Sequence, residues 1–160
     1  MGDIFAEIEL SNPRRPDFDP IRVRALADTG ALMLCIPEHI ANQLSLETES
    51  TREVSVADGR SAQVPYVGPI RVTFGKRFCY VGVLVLGDEV LLGAVPMEDM
   101  DLVLNPGRRE LTVDPASPNI PHARVKYHRY GCRSSITAAF CRARICRFRH
   151  STPTENAMAK

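Results

Sequence analysis

Asp28, Thr29 and Gly30 follow directly on an alternating apolar segment, and the Asp-Thr-Gly triplet occurs only here in the sequence. A carboxylate held at such a turn is suited to general acid or base chemistry. Hydrolysing an amide without a metal or a covalent intermediate needs a base to activate water and an acid to protonate the leaving nitrogen. Two carboxylates a few ångström apart supply both, because like charges so close share one proton. The chain contains no second Asp-Thr-Gly and no Asp-Ser-Gly. The bland reading is a structural turn, with Asp bonding nearby backbone and Gly taking positive φ.

Competing chemistries have weaker support. His39, His122, His128 and His150 are scattered, and Cys132, Cys141 and Cys146 lack the close paired spacing of a zinc site, so no metal is expected. Cys35 and Cys79 lie in apolar runs and read as small core residues, with no His placed to make either a nucleophile. Neither Gly-x-x-x-x-Gly-Lys nor Gly-x-Gly-x-x-Gly occurs, which disfavours nucleotide chemistry, and no cofactor is implied.

Short strands must position the triplet. Ile4 to Leu10 and Ile21 to Ala27 alternate apolar and polar residues, the period of half-buried strands, and the second runs into Asp28. Leu32 to Ile36 is a short apolar strand closed by Pro37, and Glu38 to Leu44 suits one or two helical turns. Arg52 to Ala57 and Ser61 to Tyr66 alternate around Asp58-Gly59, a favoured hairpin turn. Gly68 to Phe74 and Arg77 to Leu86 follow as strand candidates, and Gly87-Asp88 makes a turn before Val90-Leu91-Leu92-Gly93. Met97, Met100 and Leu104 have helical spacing and predict a short helix within Pro96 to Leu104, before a last strand over Glu110 to Asp114. The fold class expected is all-β, a closed or folded-over small barrel with one or two short helices.

The order strand, Asp28-Thr29-Gly30-Ala31, strand, hairpin, then Leu91-Leu92-Gly93 opening a helix resembles the retroviral-type (retropepsin-like) aspartic proteases and their single-domain prokaryotic relatives. The resemblance covers about Ile4 to Lys126 and implies a protease domain over 1–126. It implies a homodimer that hydrolyses peptide or protein substrates, with Asp28 from each copy holding the attacking water across a two-fold axis. Thr29 would hydrogen-bond across that axis, and Gly30 would let backbone lie against substrate. Ala31, Asp58, Gly59 and Arg60 would bind substrate, the last three as the tip of a covering flap. Leu91, Leu92 and Gly93 would support the catalytic turn from behind. Retroviral members carry an Arg near the start of that helix, where this chain has Ala94-Val95-Pro96-Met97-Glu98.

Charge divides the chain. Up to Asp114 there are 11 Lys+Arg and 18 Asp+Glu, a net of −7, whereas Pro115 to Lys160 holds 9 Lys+Arg and only Glu155, a net of +8. The basic stretch 127–160, with Arg142, Arg144, Arg147 and Arg149 among Phe140, Ile145 and Phe148, reads as a disordered or loosely helical tail. Its charge could contact nucleic acid, a less favoured partner than peptide. Five cysteines without paired spacing, no signal-like start and no long apolar run give the expectation of a cytoplasmic chain with no membrane span. Two other readings stay open: a catalytically silent dimerisation or peptide-binding domain of the same fold, and a nucleic-acid-associated protein acting through its tail.

Overall fold

The computed structural model describes residues 3–55, 59 and 61–123. The turn residues Asp58 and Arg60 and the basic stretch 127–160 lie outside the described residues.

Alternation sets the first layer. In β1 (Phe5–Ser11) every second residue, Ala6, Ile8 and Leu10, is buried. It pairs antiparallel with β2 (Ile21–Ala27), Phe5 opposite Leu26 and Leu10 opposite Ile21. The remaining elements are β3 (Leu34–Ile36), α1 (Glu38–Gln43), β4 (Thr48–Ser55), β5 (Ser61–Phe74), β6 (Arg77–Val85), β7 (Val90–Leu92), α2 (Ala94–Asp99), β8 (Leu102–Asn105) and β9 (Glu110–Val113).

Hydrogen bonding runs β1-β2-β7-β3-β6-β5 and then returns to β1. The closing pairs are Glu9–Thr73, Leu10–Val72 and Ser11–Arg71. The result is a closed six-stranded barrel with two short helices, the small all-β architecture expected from the sequence. β4 extends the sheet beyond β5, and β8 and β9 form a separate two-stranded ribbon. Leu10, Leu34, Ile36, Ile70, Val72, Val83, Leu92 and Met100 are fully buried and fill the barrel. At one end the buried Asn12 donates through Nδ2 to the Leu44 carbonyl, tying the end of β1 to the end of α1.

Two expected elements come out differently. The separate strands Ser61 to Tyr66 and Gly68 to Phe74 are one 14-residue strand. Its register against β6 shifts between Val67 and Ile70, where Gly68 has φ 139°. A bulge absorbs the Gly-Pro step that sequence reading takes as a break. The helix expected within Pro96 to Leu104 begins earlier, at Ala94, and ends at Asp99. Asp101 takes φ 54° and turns the chain into β8, so Leu104 pairs with Leu111 of β9 instead of lying on a helix face. The Asp101 carboxylate then accepts hydrogen bonds from Ser117 Oγ and His122 N, which hold the segment after β9.

Candidate active site

The Asp28 turn is fixed by topology. β7 lies between β2 and β3, parallel to the first (Ala27 beside Leu92) and antiparallel to the second (Cys35 beside Leu91). The chain leaving β2 must therefore cross the end of β7 to enter β3, and Asp28 to Met33 make that crossing. Three backbone hydrogen bonds stitch the crossing down: Asp28 N to Leu92 O at 3.1 Å, Ala94 N to Ala31 O at 2.8 Å and Val95 N to Leu32 O at 2.9 Å.

Gly93 makes this stitching possible. A Cβ built there would lie 2.3 Å from Met33 O and 2.8 Å from Ala31 O, distances no side chain tolerates against backbone. Leu92 points into the barrel with no exposed surface, while Leu91 points the other way, as alternation requires. Leu91, Leu92 and Gly93 thus sit directly behind the turn.

Within the turn, the Gly30 N–H donates to Asp28 Oδ1 at 2.8 Å, and the Ala31 N–H donates to the Asp28 carbonyl at 3.3 Å. Asp28 is half-buried, whereas Thr29 and Gly30 are exposed. A Cβ on Gly30 would stand 3.1 Å from Asp28 Oδ1, so glycine leaves the carboxylate uncrowded. The apolar side chain of Leu32, 67% exposed, stands beside the turn, and Val95 is 38% exposed. Behind the carboxylate lies the buried thiol of Cys35. Burial pushes its pKa up and the Asp28 charge adds to the effect, which disfavours the thiolate in the folded chain.

The β4–β5 hairpin packs against the same side of the barrel. β4 and β5 pair with Arg52 opposite Val64, Val54 opposite Ala62 and Ser55 opposite Ser61. Gly59 takes φ 82°, a left-handed conformation that glycine adopts freely in a tight turn. Its two chain neighbours aside, no atom among the described residues lies within 4 Å of a Cβ built there. Lower down, Val54, Ala62, Val64 and Tyr66 pack against Met33, Cys35, Leu84, Leu86 and Leu91 in a second, smaller apolar cluster. This cluster joins the hairpin to the wall carrying Asp28.

The structure brings Asp28, Thr29, Gly30 and Ala31 together with Leu91, Leu92 and Gly93, and places Gly59 at the hairpin tip. Sequence reading passed over Met33, Arg52, Tyr66 and Gly82. Tyr66 lies flat over Gly82, where a Cβ would come within 1.7 Å of Tyr66 Oη. Arg52 stacks on the Tyr66 ring, its guanidinium carbon 3.8 Å from the centroid. The alternation of Arg52 with Val54 was the available signal, since it puts both on one hairpin face. Among the described residues no group of three or more His, Cys, Asp or Glu side chains converges to hold a metal ion, and no helix is long and apolar enough to cross a membrane.

A family model described as aspartyl protease matches residues 17–104, more than half of the chain. No curated protein matches it. The match spans the Asp28 turn, the hairpin and the Leu91-Leu92-Gly93 support, and with the closed barrel around them the chain belongs to the aspartyl protease family, of the retropepsin type.

Proposed function

We propose that this chain is an aspartic endopeptidase that works as a homodimer. The observation that carries the reading is the Asp28 turn: a half-buried carboxylate, held by Gly30 N–H and in a turn stitched to Leu92, Ala94 and Val95, beside the exposed Thr29 and Gly30. One carboxylate cannot supply both base and acid, so a second copy must bring its own Asp28 to the same water. The exposed Thr29, Gly30 and Leu32 leave room for that approach, and pairing would cover the apolar Leu32.

In the dimer the ionised carboxylate takes a proton from water as the water oxygen attacks the peptide carbonyl carbon. The protonated partner donates to the carbonyl oxygen, giving a tetrahedral diol. Proton transfer to nitrogen then breaks the C–N bond, releasing an acid and an amine. The substrate would lie extended between the turn and the hairpin, bonded through its backbone like an added strand. Asp58, Gly59 and Arg60 would close over it and exclude water.

Sedimentation equilibrium across protein concentration, combined with a peptide-library assay, tests the reading. A reversible dimer is expected, with cleavage that falls on the order of a thousandfold in Asp28→Asn while the fold is kept. A strict monomer at high concentration, or cleavage untouched by the substitution, overturns it. A dimer that binds peptides without cleaving them would identify a peptide-binding module instead.

A further inference from the structure

We infer that Arg52 is a specificity-determining residue, forming a subsite for an acidic side chain of an extended peptide held between the hairpin and the Asp28 wall. The inference rests on the peptide-cleft reading above and names the substrate class it favours. Cross-strand pairing puts Arg52 on the same hairpin face as Val64, and Val64 packs in the cluster with Cys35, Leu84 and Leu91. Arg52 therefore faces the wall that carries Asp28. One guanidinium nitrogen, Nη1, reaches Met33 Sδ at 3.6 Å across the gap.

The guanidinium is held in place from below. Gly82 has no side chain, so the Tyr66 ring lies against β6, and Arg52 stacks on that ring. Stacking uses the flat face of the guanidinium and leaves its edge donors pointing outward. Thioether sulfur is only a weak acceptor, so the Met33 contact does not satisfy them. Arg14, Arg15, Arg22 and Arg108 each have a carboxylate within 4.0 Å. Among the described residues Arg52 has no such ion pair. The acids nearest in sequence are directed elsewhere: Glu49 holds Arg14, and Glu53 alternates to the opposite face of β4.

A planar fork with no carboxylate partner among the described residues matches a carboxylate, which it can grip through two parallel hydrogen bonds. In an extended peptide every second side chain faces the hairpin, so one of these meets Arg52. Met33 ends the crossing that starts at Asp28, so the subsite shares the wall that carries the carboxylate.

The test measures binding of fluorescent extended peptides to the full Asp28→Asn chain, using pairs that differ by Glu or Gln at one position. At one position the Glu peptide is expected to bind roughly tenfold tighter, with the difference shrinking as salt rises. Arg52→Gln should abolish the preference, and Arg52→Glu should turn it toward Lys. Circular dichroism confirms the fold of each variant, and the salt series reads the subsite in the chain with Arg52 intact. An equal preference in Arg52→Gln, no charge discrimination, or no peptide binding overturns the inference. Charge-selective binding by a chain that cleaves nothing would leave the subsite standing and remove the peptidase reading.

Discussion

The two walls of the cleft are built in opposite ways. The Asp28 wall is backbone held by backbone: the turn is bonded to β7 and α2, Gly93 fits against carbonyl oxygens, and Leu92 is anchored in the barrel. The hairpin wall is side chain resting on side chain. Seven of the eight residues of β4 are exposed, and among the described residues three buried ones, Cys35, Val64 and Leu84, form the cluster beneath it. A site that must hold a carboxylate to a fraction of an ångström calls for the first construction. The proposed covering role of the hairpin would call for the second, since few buried contacts mean a low cost of local opening.

Substitutions on the two sides should therefore differ in size and kind. The largest loss is expected for Leu92→Ala, about 4 kcal/mol, because it opens a cavity under a turn that cannot collapse into it. Chemical denaturation measures it, and a loss below about 1 kcal/mol would mean the turn is not anchored there. Gly93→Ala follows at about 3 kcal/mol, since its Cβ must push away the Met33 carbonyl and the Ala31 carbonyl that accepts from Ala94. Gly82→Ala is the matched change on the hairpin side. Its Cβ meets the Tyr66 ring, which is able to swing away, so stability should fall by no more than about 1 kcal/mol. Equal losses at Gly82 and Gly93 would erase the distinction between the walls.

The cysteines report the same contrast at smaller scale. Cys79, within the barrel, has its pKa pushed up from 9.0 to about 12 by burial, with the Asp99 charge adding to it. The folded chain thus keeps a proton that the unfolded chain loses above about pH 9. Its contribution to stability is complete below about pH 9 and declines from there to about pH 12. Replacing Cys79 by Ala should flatten that decline in denaturation midpoints taken across alkaline pH. Cys35, under the hairpin, should be alkylated before Cys79 when sites are resolved by mass spectrometry. The reverse order would mean that the hairpin side opens less readily than the barrel.

Much of this was legible in the sequence because it is local. Ile8 and Leu10 alternate with glutamates, Asp28-Thr29-Gly30 ends a strand, and Leu91-Leu92-Gly93 opens a helix, each readable from a few neighbouring residues. The misread elements are those where two local rules conflict. Gly68-Pro69 carries the composition of a break but sits in a bulge of a continuous strand, and Leu104 keeps helical spacing after Asp101 has already turned the chain. The Arg52–Tyr66–Gly82 stack was hidden for another reason: its three members come from three strands, and only the register of β5 against β4 and β6 puts them in a column.

Barrel closure has one more consequence. Pairing of β5 back onto β1 gives each of the six barrel strands a neighbour on both sides and leaves β4 as the terminal strand of that sheet among the described residues. An open border of peptide groups invites strands of other molecules to zip onto it, the first step toward fibrils. β4 reads Thr-Glu-Ser-Thr-Arg-Glu-Val-Ser, with charges at Glu49, Arg52 and Glu53 and a single aliphatic residue, Val54. Such a strand is a poor template for runaway stacking, so at high concentration the chain can leave that margin exposed without polymerising along it.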